Sequence, residues 1–145
     1  MQLYRIGKTK HAHDLTGVGA KMNGGRWNYL GVPCIYLSES RALSLLEYSR
    51  HTSLETMPPA LSYITFDVPE HSIRTFQVSD LPVNWLQRPY SKENRDLGSL
   101  LLAEADHLLF KIPSPIIEQE YNFVLNTNHH LINLVKITEV ISYKG

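Results

Sequence analysis

The chain has a single cysteine, Cys34, in 145 residues, so no internal disulfide can staple it. It also has no net charge, because 14 Lys and Arg balance 14 Asp and Glu. Such a balance exerts no general electrostatic pull on nucleic acid or an anionic membrane. No apolar run nears the roughly 18 residues that a bilayer span needs. The opening Met1-Gln2-Leu3-Tyr4-Arg5-Ile6 lacks a charged stretch followed by an apolar one, so no signal peptide is read there. These absences point to a soluble, cytoplasmic protein without direct membrane or nucleic-acid contacts. Metal chemistry is short of parts as well. His11 and His13 are two apart and His129 and His130 adjacent, and neither pair comes with the Cys or carboxylate ligands expected for zinc. No Gly-x-Gly-x-x-Gly follows a strand and opens a helix, which excludes a Rossmann-bound dinucleotide. Cys34, in an apolar stretch without a basic neighbour, reads as inert core.

What is present suits one globular domain over 1–145, with 43% hydrophobic and 19% charged residues. Apolar, partly β-branched runs bounded by Gly, Pro or Ser predict strands at 3–6, 32–37, 61–68, 73–78, 108–112, 121–125 and 135–143. Helical patterning is read over 40–51, with Ser38 or Ser40 as N-cap, and over 97–105. On the first helix Leu45, Ser49, Ala42, Leu46 and Leu43 make one arc, with Glu47 at its margin. The segment 8–31 is glycine-rich and reads as an ordered loop with at most one short helix. A loop of that length in a compact domain is usually functional or disordered, and its aromatic and apolar residues favour order. Many short strands mixed irregularly with two or three helices make the fold class α+β.

The chemistry is concentrated early. Gly17-Val18-Gly19-Ala20 runs into Gly24-Gly25-Arg26-Trp27-Asn28, with Tyr36 and Glu47 close behind. Glycines let a loop turn sharply and bring backbone close to a ligand. The Arg26 guanidinium offers a planar fork of donors for phosphate oxygens. A carboxylate such as Glu47 can steady positive charge developing on a sugar. Together these parts suit gripping a pyrophosphate and breaking a glycosidic bond, with NAD as the obvious substrate. Each residue also has a plainer reading. Glu47 alone is a surface helix glutamate, Arg26 a loop arginine paired to an acid, and Tyr36 a core tyrosine.

In order and spacing, Tyr4-Arg5-Ile6, the two glycine motifs, Gly31-Val32-Pro33, Tyr36 and Leu45-Leu46-Glu47 resemble the RES domain of bacterial RES–Xre toxin–antitoxin systems. Pro113-Ser114, Glu120-Tyr121-Asn122 and Leu125-Asn126 with His129 resemble that family's second block. Two departures are visible: Asn126-Thr127-Asn128-His129 replaces the family's Asn-Pro-x-His, and leucines follow Gly98 where a tryptophan is common. The resemblance implies an ADP-ribosyltransferase-like split sheet, mixed or antiparallel, with a few flanking helices. It also implies consumption of NAD, as substrate and not cofactor, by phosphorolysis or hydrolysis, with inorganic phosphate a possible co-substrate. By the same resemblance Arg5 and Arg26 hold the diphosphate, Tyr36 lines the nicotinamide pocket and Glu47 is the centre of the chemistry. Ser114 and Asn122 match further binding positions. The implied partner is an Xre-family helix-turn-helix antitoxin, giving a hetero-oligomer that reaches DNA only through that partner. Two other readings stay open: transfer of ADP-ribose to a protein, and a non-catalytic module that only binds a partner.

Overall fold

Alternating side chains along the apolar runs bury both faces of one sheet, and that alternation organises the molecule. The computed structural model describes all residues 1–145. Its strands are β1 (Gln2–Lys8), β2 (Ile35–Ser38), β3 (Leu61–Asp67), β4 (Ile73–Thr75), β5 (Leu109–Pro113), β6 (Tyr121–Leu125) and β7 (Lys136–Ser142). They form a single sheet in the order β4-β5-β6-β2-β1-β3-β7. The pairings are antiparallel except for the parallel β4–β5 edge. Three α-helices accompany them: α1 (Val18–Asn23), α2 (Arg41–Ser49) and α3 (Lys92–Glu104). The α+β class follows from this irregular order.

The sheet is built as two halves. β1 pairs with β3 from Gln2 through Lys8, and β2 with β6 from Ile35 through Ser38. Between the halves, β1 and β2 register only at Tyr4 opposite Ser38. Strand alternation sends Ile35 and Leu37 to one core, with Leu3, Phe66 and Phe123. Their neighbours Cys34 and Tyr36 face the other, with Trp27, Ile112, Val124 and the α3 residues Leu101 and Leu102. The functional residues lie mainly on this second face.

Three expectations need correction. Helix α3 starts at Lys92 and not at 97, because Ser91 Oγ accepts from the Asn94 N–H and caps a polar first turn. Strand β4 stops at Thr75, and the chain turns into a short 3-10 helix at Val78–Asp80. On α2 the buried residues are Leu43 and Ser44, while Ala42 and Leu46 are exposed. Glu47 follows Ser44 by three and Leu43 by four, so it continues the packed stripe instead of marking its margin.

The Asn/His-rich turn before β7 carries a pH-sensitive cap. His129 is buried, and its Nδ1 accepts from the Leu131 N–H, a bond that only the unprotonated ring can make at that atom. Burial lowers its pKa, and the neighbouring His130 and His107 push the same way. Below about pH 6.5 the unfolded chain takes up this proton first, so stability falls as pH drops. Thermal unfolding at pH 7 and pH 5 checks this: the loss on acidification should shrink in His129→Asn, which keeps a capping acceptor without a titrating ring.

Candidate active site

The glycine-rich loop is held from two sides. Gly17, at φ +74°, starts α1, and a Cβ there would lie 2.7 Å from the Cys34 amide nitrogen. Gly24, at φ +69°, ends α1, and Gly25 N–H then bonds Asn28 O at 3.1 Å. That closed turn carries Arg26 and Trp27. On the sheet side the Tyr36 hydroxyl donates to Asn28 Oδ1 at 2.6 Å and accepts from Trp27 N–H at 3.0 Å. Asn28 Nδ2 in turn donates to the Ala20 and Val32 carbonyls, each at 2.9 Å. On the helix side, a Cβ at Gly98 of α3 would sit 1.8 Å from Trp27 O, so only glycine admits the loop backbone there. Ser99 Oγ adds a bond from Tyr29 N–H at 3.1 Å.

This clamp fixes Arg26, whose side chain is buried. Its Nη1 donates to Trp85 O at 2.7 Å, a carbonyl that also accepts from Asn94 Nδ2 at 2.8 Å. The guanidinium lies over the Tyr90 ring at 4.8 Å. Burial lowers its pKa; Tyr90 and Glu47 work against that shift, and Arg50 and Arg88 add to it. No other protein acceptor bonds its remaining donors, which leaves part of the fork for a ligand.

Glu47 reaches the end of β5 and the start of β6. Ser114 Oγ donates to its Oε2 at 2.9 Å, and Asn122 Nδ2 donates to the same oxygen. The backbone N–H groups of Ile116 and Ile117 fill the acceptor side of Ser114 Oγ at 3.0 and 3.2 Å. Ser114, between two prolines, is buried at the strand end. Glu47 Oε1 has no protein partner.

A cleft of about 570 Å³ is lined by Asn23, Gly24, His51, Arg88, Pro89 and Tyr90, the last of which lies under the Arg26 guanidinium. Arg88 Nη2 donates to Arg50 O at 3.4 Å, tying this segment to the end of α2. The His51 pKa is lowered by burial and by Arg88, Arg50 and Arg26, against the raising charge of Glu47. A neutral chain thus gathers three arginines around one carboxylate. Such a cluster can hold an anion such as a diphosphate close to a carboxylate able to steady positive charge.

The structure brings Arg26, Tyr36, Glu47, Ser114 and Asn122 together around the second face of the sheet. It does not bring Arg5 to them. Arg5 pairs in register with Ile64, a residue of the opposite core. Its Nη2 donates to His11 O at 3.0 Å, its Nε is buried without a partner, and burial lowers its pKa against the charge of Asp14. Arg5 therefore lies apart from Arg26, and the cations whose charge acts on Arg26 are Arg50 and Arg88. Tyr36 also differs in detail, since its hydroxyl is engaged by the loop and burial holds it well above the usual phenol range. Cys34, expected as inert core, is buried with its thiol pushed up to about 12. Arg50 and His51, at and just past the C-cap of α2, were not singled out in the sequence; their spacing of three and four after Glu47 was the one available signal. Arg88 and Tyr90, in an irregular segment, carry no periodic signal.

Against known proteins, a family model described as "RES domain" matches residues 2–144. The chain is 34% identical over 125 residues to the "Prs ADP-ribosylating toxin" of Sphingobium sp., covering 84% of this chain and 78% of that relative. It is 30% identical over 141 residues to a "Toxin Res" of Photorhabdus laumondii, covering 94% and 90%. Its fold is similar to a chain of the M. tuberculosis MbcT-MbcA toxin-antitoxin complex, with a TM-score of 0.80 at 20% identity over 98% of this chain and 83% of that one.

The clamp makes a direct prediction. Gly98→Ala forces Trp27 and the Arg26 turn away from α3, and should destabilise the protein by about 1–3 kcal/mol in urea unfolding. Gly19→Ala, where an added Cβ meets nothing within 4 Å, should leave the midpoint nearly unchanged.

Proposed function

This chain belongs to the RES domain family, and we propose from that membership and from the cleft that it is a toxin that cleaves the nicotinamide–ribose bond of NAD. The observation that carries this is the placement of Glu47. One of its oxygens is loaded by Ser114 and Asn122, the other is free, and its charge acts on Arg26 and His51 at the cleft. NAD supplies the matching pattern, a diphosphate for Arg26, Arg50 and Arg88 and a ribose that becomes cationic beside the carboxylate. The C–N bond breaks with its electron pair leaving on nicotinamide, and an acceptor oxygen bonds C1 of the ribose. With phosphate as acceptor the product is ADP-ribose-1″-phosphate; with water it is ADP-ribose, and the acceptor's proton is released in either case. Phosphorolysis is the preferred route.

A second reading, transfer of ADP-ribose to a protein, is favoured by the name of the Sphingobium relative. The third, a partner-binding module without chemistry, leaves the hydrogen-bonded Glu47 without a purpose. The partner proposed in every case is an antitoxin, of the Xre helix-turn-helix type, and the closely similar toxin–antitoxin fold is in keeping with it.

NAD turnover by the purified protein, with and without phosphate and with products identified by mass, tests these readings. Glu47→Gln should lower the rate by about 100- to 1000-fold, the scale of one well-placed electrostatic group. Loss of NAD without phosphate would replace phosphorolysis by hydrolysis. Label passing from NAD to a protein would favour the second reading. A wild-type protein that leaves NAD intact under every condition would overturn the proposal.

A further inference from the structure

We infer that Ser38 is a positioning residue for the Glu47 carboxylate, acting through Asn122. Ser38 and Asn122 are opposite one another in the β2–β6 register, so their side chains share a face. Ser38 Oγ donates to Asn122 Oδ1 at 2.8 Å, and Asn122 Nδ2 donates to Glu47 Oε2. The direction of this relay is set by chemistry. An ionised carboxylate only accepts, so the amide nitrogen has to face Glu47 and the amide oxygen has to face Ser38. No other group bonds Asn122 Oδ1, so on the oxygen side of that amide Ser38 alone opposes its rotation.

Ser114 completes the same arrangement. Its hydroxyl accepts two backbone N–H bonds, so its own proton points at Glu47 Oε2. Both donors thus converge on one oxygen and leave Oε1 without a protein partner. Removing Ser38 frees the amide to turn its oxygen toward the carboxylate, replacing an attraction by a repulsion. Ser38 is buried and is also the residue where the two halves of the sheet meet, opposite Tyr4. Its backbone is therefore fixed from both sides, which suits a residue that sets an angle for another. The catalytic part of this inference rests on the reading of Glu47 given above.

Ser38→Ala tests it. We expect kcat for NAD to fall about tenfold, the scale of one hydrogen bond, with KM unchanged. In an Asn122→Ala background the same substitution should add nothing, because Ser38 acts only through that amide. A second readout needs no substrate: solvent exchange of the Asn122 side-chain amide protons, followed by 15N NMR, should quicken about tenfold in Ser38→Ala. Unchanged exchange, or a full additional loss of kcat in the Asn122→Ala background, overturns the inference. If wild-type protein leaves NAD intact yet the exchange quickens, the NAD reading fails while the positioning of Glu47 by Ser38 stands.

Discussion

The cleft depends on one close approach, the Trp27 peptide pressed against the bare Cα of Gly98. A helix normally keeps other backbone at side-chain distance, and glycine removes that distance. With the loop seated on α3, Arg26 falls within reach of the Trp85 carbonyl, and Asn94 of the same helix braces that carbonyl from the other side. Tyr36 then holds the turn from the sheet through Trp27 and Asn28. A buried arginine is costly when its surroundings are not arranged in advance. Here the arrangement is made of backbone atoms and neutral groups, which leaves the positive charge uncancelled and available.

The acidic partner is prepared by a separate device. Glu47 rides on α2, and its donors come from the ends of β5 and β6, so helix and sheet must pack correctly before the carboxylate is oriented. Arg26 and Arg88 thus come from the glycine loop and the 85–90 segment, and the carboxylate from α2 with its donors on the strand ends, while Arg50 alone shares the end of α2 with Glu47. That no arginine bonds Glu47 directly matters for the proposed chemistry, because such a bond would neutralise the charge that a ribosyl cation would need.

Much of this was readable beforehand, for physical reasons that differ by residue. β6 emerged at its observed bounds because Tyr121 to Leu125 is a short apolar run with punctuation on both sides. Glu47 and Arg26 were legible because their spacing is part of a family pattern. The start of α3 was hidden because its first turn, Lys92-Glu93-Asn94-Arg95, is polar and only its Ser91 cap marks it. The separation of Arg5 from this group was hidden for a related reason. Its position in an apolar strand is real, yet which face it takes is fixed by pairing with β3, and single-strand reading does not include a partner. Arg88 and Tyr90 approach the cleft through tertiary contacts of an irregular segment, which leave no periodicity to read.

The gathering of Arg26, Arg50 and Arg88 in a protein of zero net charge sets the range of its field. At physiological ionic strength the field of such a cluster fades over about 8 Å, and the rest of the chain, with 11 Lys and Arg against 14 Asp and Glu, does not extend it. Anions are therefore sensed on contact and not drawn in from afar. Long polyanions, which bind by releasing many counterions along an extended basic track, find no track to follow. A compact diphosphate, the group assigned to the cluster in the proposed function, would meet all three charges at once. The same number of arginines spread over a neutral surface would be screened one by one; gathered at one place, they act together.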